Sequence, residues 1–320
     1  MTTIVSGSLL NPQIKTLTAF APATSANLGV GFDILGLALD AVGDKVTLEK
    51  RDDGHIVIDK ITSLDGLPLE SNKNTASYAV TKMCEELGIT CGFSLTIDKG
   101  IALGSGMGGS AASAVAAVVA LNGFLNAPLS KDKLVEYALY GEEIASGGRH
   151  ADNVAPCVYG GITLIRNLEP LDIISLPYPE LYCVIVHPHL QVETKTARKI
   201  LSPTVELKKF VEQSANLAAA ISALYQKDYQ LLARSFQDLI IEPQRSRLVN
   251  GFAAVKAAAI INGALGAVLS GSGPSMLALT KSPAEAGRVA QAMVAAFAAE
   301  NIAADHWISP INPNGAAVIN

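Results

Sequence analysis

Residues 100–113, GIALGSGMGGSAAS, place four glycines within six positions and then continue into an alanine-rich stretch. Ordering glycine is entropically unfavourable, so the cluster indicates that something approaches this backbone closely. The free N–H groups at a helix N-terminus attract phosphate. The stretch therefore predicts a phosphate site with a helix starting at Ser110. The alternative is a tight strand-to-helix turn that binds no ligand.

The string from Gly104 to Gly109 formally matches the dinucleotide-binding pattern GxGxxG, but its surroundings do not fit that pattern. The strand before it alternates, and no acidic residue ends a second strand about twenty residues later. Ser110 stands where a Walker motif has lysine, and the HRD and DFG motifs of protein kinases are absent. These comparisons exclude three common nucleotide-binding motifs.

A phosphate site usually recruits Mg²⁺, so a hydroxyl and a carboxylate are expected near the glycine loop. Ser110 supplies the hydroxyl. In the helix predicted over 131–146, Glu142 lies on the same apolar stripe as Leu139, whereas Glu143 lies off it. Because an inward carboxylate is seldom unpaired, Glu142 is either a metal ligand or one half of a buried ion pair.

Two further glycine-bearing stretches carry polar groups. PATSANLGVGFD, at 22–33, sets Asn27 and Asp33 around two glycines. It is either part of a binding site or an Asx-stabilised loop. SGSGPS, at 270–275, is either an ordinary tight turn or one wall of an anion site.

The composition narrows the class of protein. The 320 residues are 49% hydrophobic and 17% charged, which predicts two domains with a large core. A net charge of −5 without a long basic run argues against nucleic acid and anionic membranes as partners. Four cysteines without CxxC spacing predict free thiols in a cytoplasmic protein. Residues 1–15 show no signal peptide, and the longest apolar stretch, 111–125, is too short to span a bilayer.

The order of predicted elements is that of an α+β chain. In the first half, strands are predicted over 46–50, 55–60 and 93–99, and helices over 74–87, 110–121 and 131–146. Strict alternation makes the strand over 93–99 half-buried. The proline-bearing segment 167–180 is the predicted domain boundary. In the second half, elements are predicted over 182–187, 196–201, 205–238, 249–262, 266–270, 275–280, 283–300 and 306–309. Two-layer sandwiches in both halves fit this order.

Together, the three glycine-bearing stretches resemble the three motifs of the GHMP kinases, the family of galactokinase, homoserine kinase and mevalonate kinase. PATSANLGVGFD, RHADNVAPCVYGG at 149–161 and IIEPQRSRLVNGF at 240–252 are similar to the homoserine kinase forms. The resemblance covers nearly the whole chain. It implies the GHMP kinase fold, with an N-terminal α/β ATP-binding domain at 1–172 and a C-terminal ferredoxin-like α/β sandwich domain at 173–320.

The resemblance implies ATP and Mg²⁺ as cofactors, with Ser110 and Glu142 as the metal ligands. The loop that binds the ATP phosphates would comprise Ala102, Leu103, Gly104, Ser105, Gly106, Met107, Gly108, Gly109, Ser110, Ala111 and Ala112. The sequence departs from the family at Ala102, which is often proline, and at Gly109, which is usually serine. Both departures make the loop more flexible, which favours weaker ATP binding without a change of reaction.

The resemblance also implies L-homoserine as the substrate of a cytoplasmic homodimer in threonine biosynthesis. The residues that match its amino-acid site are Asn27, Asp33, His150, Thr194, Arg198 and Arg245. A zwitterion suits this set, because its ammonium needs a carboxylate and its carboxylate suits an arginine fork. Without the resemblance, His150 would be a packed histidine and Arg245 a solvated charge.

The implied catalytic residues are Asn153, Asp152 and Arg198. Many family members use an aspartate to take the hydroxyl proton, and the corresponding stretch here is Asp152-Asn153, with a register ambiguous by one residue. We expect Asn153 to face the substrate hydroxyl. Because an amide cannot accept that proton, the proton would pass to the phosphate as the new bond forms.

Two other functions fit parts of the pattern. Another GHMP kinase could act on mevalonate, shikimate or a sugar, but those substrates lack an ammonium to pair with Asp33. A non-catalytic sensor could bind ATP and a metabolite without turnover. The presence of Ser110, Glu142 and Asn153 argues against the sensor.

Overall fold

The structure is a computed structural model that describes residues 9–64 and 66–320. The expectation that the chain begins without a signal peptide concerns residues 1–15, and 1–8 lie outside the described residues. No helix in the described part combines the length and the apolar character needed to cross a membrane.

The first half is built on a seven-stranded sheet. Its strands are β1 (Thr16–Ala26), β2 (Leu35–Arg51), β3 (Ile56–Thr62), β4 (Gly92–Asp98), β5 (Ile162–Leu168), β6 (Leu171–Leu176) and the C-terminal β11 (Ala317–Val318). The order is β11-β1-β2-β4-β3, and β5 joins β2 to β6. The accompanying helices are α1 (Thr75–Leu87), α2 (Gly109–Phe124), α3 (Lys131–Ser146) and α4 (Ala151–Tyr159). The alanine-rich α2 is buried on nearly all sides, because its small side chains let neighbouring elements approach its backbone.

The second half is an antiparallel sheet of β7 (Tyr182–Pro188), β8 (Gly266–Leu269), β9 (Met276–Thr280) and β10 (Ala304–Pro310). The order β10-β7-β9-β8 is that of the ferredoxin-like fold, so this prediction is confirmed. The helices of this half are α5 (Thr194–Lys199), α6 (Leu207–Gln226), α7 (Tyr229–Ser235), α8 (Glu242–Arg245), α9 (Phe252–Ile261) and α10 (Pro283–Ala299).

The structure corrects three details. The long helical region predicted over 205–238 consists of two helices, α6 and α7, because the backbone turns at Lys227 (φ 55°) and Asp228 caps a new helix. The strand predicted over 93–99 is more buried than the half-buried strand expected, because β4 lies between β2 and β3. The division after residue 172 falls inside β6, and the first sheet also includes the C-terminal β11.

Candidate active site

A cleft of about 350 Å³ is lined by residues from both halves of the chain. It brings together all the residues expected at the amino-acid site, both expected metal ligands and the two candidates for the hydroxyl proton. The expected ATP-loop residues also line it, except three whose side chains are buried beneath it, Met107, Ala111 and Ala112.

The glycine loop is held from outside through its carbonyl groups. The four carbonyls from Gly104 to Met107 accept hydrogen bonds in turn from Val192 N (3.3 Å), Ser275 N (3.1 Å), Ser270 Oγ (2.8 Å) and Thr24 N (3.1 Å). The helix α2 that follows starts without a capping side chain. Free N–H groups at such a helix start make the loop suitable for binding an anion.

Two glycines explain why the loop is nearly free of side chains. Gly106 has φ 78°, and a Cβ there would collide with the carbonyls of Ser270 and Gly273. Gly108 has φ 69°, and a Cβ there would collide with the hydroxyl of Thr24. Neighbouring protein atoms, backbone carbonyls at Gly106 and a side-chain hydroxyl at Gly108, therefore leave no room for a Cβ at either position.

The Ser110 hydroxyl donates a hydrogen bond to Glu142 Oε2 at 2.9 Å. The predicted helical stripe is confirmed, because Glu142 is 6% exposed whereas Glu143 faces solvent. Burial raises the pKa of Glu142 to about 7. Within residues 9–64 and 66–320 no Lys, Arg or His lies within 4.0 Å of this carboxylate, so the alternative of a buried ion pair is not observed.

This hydroxyl–carboxylate pair fits Mg²⁺, a hard cation that binds oxygen through one or two protein carboxylates and substrate phosphates. The described residues contain no group of three or more His, Cys, Asp or Glu side chains able to hold a metal. A cation at Ser110 and Glu142 would therefore depend on ligands from a bound phosphate.

Asp33 forms a bidentate salt bridge with Arg198 of α5. The Nη1 of Arg198 donates to Asp33 Oδ2 at 2.9 Å, and its Nη2 donates to Oδ1 at 2.8 Å. Asn27 holds the loop that presents Asp33, because its Oδ1 accepts from Asp33 N at 3.0 Å and its Nδ2 donates to the Gly271 carbonyl at 2.9 Å. Thus the stretch is an Asx-stabilised loop, and its acidic side chain also lines the cleft.

Arg245 is not solvated, since only 3% of it is exposed. It donates to the carbonyls of Ala197 and Gly271, each at 3.2 Å. Burial and the neighbouring Arg198 lower its pKa. Two guanidinium groups therefore lie at one end of the cleft, which suits a carboxylate.

Phe32 is a residue of this cluster that sequence reasoning missed. Its ring centre lies 5.4 Å from the Arg198 guanidinium carbon and 5.0 Å from that of Arg245, within cation–π range. Its position directly before Asp33 was the available signal. His150 completes this end, half-buried, with Nδ1 4.0 Å from Asp33 Oδ2 and a pKa lowered chiefly by burial.

Asp152 and Asn153 both line the cleft from the first turn of α4. Burial, followed by the negative charges of Asp33 and Glu142, raises the pKa of Asp152 to about 7. The Asn153 Oδ1 accepts a hydrogen bond from Thr24 Oγ1 at 2.7 Å. That bond fixes the amide, so the Nδ2 group of Asn153 points away from Thr24.

Comparisons with known proteins agree with this site. The family model described as "GHMP kinases N terminal domain" matches residues 74–161, and the one described as "GHMP kinases C terminal" matches 220–299. A homoserine kinase of Chlorobium phaeobacteroides is 44% identical over 96% of this chain and 100% of its own length. A homoserine kinase of Xanthomonas campestris is also 44% identical, over 96% of this chain and 95% of its own length.

A solved structure supports the same relationship. The crystal structure of a homoserine kinase from Cytophaga hutchinsonii covers 98% of this chain and 100% of its own, with a TM-score of 0.93 and 44% identity. The resemblance read from the motifs is thus confirmed over nearly the full length. The chain belongs to the GHMP kinase family, and within it to the homoserine kinases.

Proposed function

We propose that this protein transfers the γ-phosphoryl group of ATP to the side-chain hydroxyl of L-homoserine, giving O-phospho-L-homoserine and ADP. One observation carries the proposal. A single cleft joins the anion-binding glycine loop to an acid–arginine cluster, formed by Asp33, Arg198 and Arg245. The first suits the phosphates of a nucleotide, and the second suits both charges of an amino acid. The names of the relatives support the same substrate.

The acid–arginine cluster would bind the amino acid by its two charges. A carboxylate has about four acceptor positions, so Asp33 can accept from a substrate ammonium while Arg198 remains beside it. Arg245 and Arg198, with His150 and Thr194 nearby, would together hold the substrate carboxylate. Asn27 acts at one remove, because it fixes the backbone that presents Asp33.

The glycine loop would hold the ATP phosphates with its backbone N–H groups, because its outer carbonyls are already occupied. Ser110 and Glu142 would hold Mg²⁺. The cation would neutralise charge on the transferred phosphate, which with positioning supplies most of the catalysis in phosphoryl transfer. Arg198 would also stabilise the negative charge on the phosphate that is transferred.

Asn153 would donate from Nδ2 to the oxygen of the substrate hydroxyl, since Thr24 fixes its amide. The hydroxyl proton would pass to the phosphate as the bond forms. The competing arrangement uses Asp152 as the general base. Its pKa of about 7 suits that role at neutral pH.

Assembly and location complete the proposal. We place the enzyme in the cytoplasm as a homodimer, without nucleic acid or membrane as partner. All four cysteines are free, as in reducing compartments.

The first turns of α6 carry an exposed apolar surface of the kind that a subunit contact covers, formed by Leu207, Phe210 and Val211. Light scattering after size exclusion measures the mass that tests the dimer.

The function is tested with an assay that couples ADP release to a visible signal. L-Homoserine, mevalonate, shikimate and galactose would each be offered at equal concentration with ATP and Mg²⁺. We expect turnover with L-homoserine to exceed the others by orders of magnitude. Turnover highest with an acceptor that lacks an ammonium would favour another GHMP kinase. Nucleotide binding without turnover on any acceptor would favour the sensor.

A further inference from the structure

Lys99 follows β4 and lines the cleft, yet only 5% of the residue is exposed. Its Nζ donates to the Gly109 carbonyl at 2.8 Å, to Ser113 Oγ at 2.9 Å and to the carboxylate of Asp44 in β2. An ammonium has three N–H donors, so these contacts use all of them. Lys99 therefore has no donor left for a ligand while this network is intact.

Asp44 is fully buried, at 0% exposure. Its Oδ1 accepts from the backbone N–H groups of Gly100 at 3.0 Å and Ile101 at 3.2 Å. Its Oδ2 accepts from Lys99 and from the hydroxyl of Ser113 at 2.7 Å. The carboxylate thus binds the first residues of the glycine loop, and its ammonium partner binds the carbonyl at the loop's end.

The contact with Gly109 also orients the backbone N–H of the next residue, Ser110, which lines the cleft. In a trans peptide the C=O and the next N–H point in opposite directions in one plane. Because Lys99 holds the Gly109 carbonyl, it also fixes the N–H of Ser110. Ser113, one turn further along α2, ties the same network to the helix that carries the Ser110 hydroxyl.

We propose that Lys99 and Asp44 are positioning residues for nucleotide binding. Their ion pair holds both ends of the segment 100–109, the first through the N–H groups of Gly100 and Ile101 and the last through the Gly109 carbonyl, and it keeps Ser110 opposite Glu142. This inference rests on the proposed function only in taking ATP as the ligand of the loop. It predicts that the pair acts on nucleotide affinity and leaves affinity for the acceptor alcohol unchanged.

The test is titration calorimetry with a non-hydrolysable ATP analogue and Mg²⁺ on the intact protein. Lys99→Met and Asp44→Asn should each weaken binding by roughly tenfold or more, as expected on losing a hydrogen bond to a charged group. Ser113→Ala, which keeps the ion pair, should weaken binding less. Lys133→Met is the matched control, because Lys133 is an exposed lysine paired with Glu136, and its affinity should equal the parent's.

Asp44→Asn separates positioning from direct contact. If Lys99 served as a free cation for phosphate, releasing it from Asp44 would preserve or tighten binding, and that result would overturn the proposal. Parent-like affinity in Lys99→Met would overturn it as well. If single variants do not fold, the apolar double variant Asp44→Leu with Lys99→Met restores a neutral core. That variant should be folded and bind the analogue weakly, and parent-like binding in it would refute the role.

A final comparison separates this inference from the function on which it rests. Failure of the parent protein to bind the analogue would count against ATP as the ligand. Parent binding with unaltered variants would count against the ion pair alone. The KM for L-homoserine at saturating ATP should stay within about twofold of the parent's in Lys99→Met and Asp44→Asn, because the pair contacts the glycine loop and α2 and none of the residues assigned to the amino acid.

Discussion

Arg198 and Asp33 are paired through two parallel hydrogen bonds of 2.9 and 2.8 Å across the cleft. Each group carries the charge expected to meet the opposite charge of a zwitterion. The two groups therefore neutralise each other, and an amino-acid substrate would have to join or replace this pair. Selectivity for a zwitterion follows, because a ligand that displaced this pair with only one charge would leave the other protein charge without its counterpart.

The arginines should be sensitive even to a conservative change. Arg198→Lys and Arg245→Lys keep the charge but lose the planar fork. Each should lower kcat/KM for L-homoserine by about 1.5–3 kcal/mol, the value of a hydrogen bond to a charged group. Nucleotide affinity, measured by calorimetry, should hardly change. Parent-like phosphorylation by both variants would refute their assignment to the substrate carboxylate.

Glu142→Gln keeps the shape of the side chain but removes the charge that Mg²⁺ requires. We expect turnover to fall at least a hundredfold, since positioning and charge neutralisation supply most of the catalysis. Glu143→Gln is the adjacent control and should be nearly silent, because Glu143 faces solvent. Equal losses in the two variants would contradict the role of the inward helical stripe.

Glu142→Gln, which should lower turnover, should raise the free energy of unfolding at alkaline pH. Burial raises the pKa of Glu142 from 4.5 to about 7, so its protonated form favours the folded state. In the parent, this contribution is complete below the unfolded pKa and is lost as the pH rises through about 7. Without nucleotide or Mg²⁺, Glu142→Gln should match the parent near pH 4 but exceed its unfolding free energy at pH 8, by on the order of 1–3 kcal/mol. Denaturant unfolding at both pH values measures this difference, and a less stable variant at pH 8 would contradict it.

Local sequence patterns predicted those parts of the site that are set by residues close together in the chain. Helical spacing identified Glu142, and glycine density identified the phosphate loop. The Arg198–Asp33 pair joins positions 165 residues apart, and no local pattern marks Arg245 as buried. Those residues were identified through the family resemblance. Lys99 looked like the ordinary end of a strand, because its partner Asp44 lies 55 residues earlier in a long strand of the same sheet.

The proton acceptor can be assigned by comparing neighbouring variants. If Asn153 orients the substrate hydroxyl, Asn153→Ala should lower kcat more than Asp152→Asn does. Asp152→Asn should then keep the parent's pH profile of kcat, which includes any titration of Glu142, because the pKa of Glu142 is also about 7. A general base at Asp152 would instead make kcat rise through its own pKa of about 7, and Asp152→Asn would remove that rise. With folding checked by circular dichroism, a loss of about a thousandfold in Asp152→Asn would show that this carboxylate takes the proton.

The glycine loop departs from the family at Ala102 and Gly109. Restoring the family's residue at each position should change ATP affinity by different amounts. Ala102→Pro restricts the free loop, and at a compatible position should tighten ATP binding by about two- to fivefold. Gly109→Ser adds a Cβ that would lie 3.2 Å from Ile101 Cγ2, so crowding offsets the gain in rigidity. We expect its affinity to stay near the parent's. Calorimetry on both variants measures the difference, and weaker binding in Ala102→Pro would show that flexibility is not limiting.

The central claim is that the cleft selects an alcohol carrying both an ammonium and a carboxylate. The most direct measurement is kcat/KM of the unaltered enzyme for L-homoserine, 4-hydroxybutyrate and 3-amino-1-propanol at saturating ATP and Mg²⁺. The two analogues each lack one of the charges. We predict that each falls below L-homoserine by at least about a hundredfold, because a charged partner in the cleft is left unpaired. Either analogue phosphorylated as efficiently as L-homoserine would contradict this account of the site.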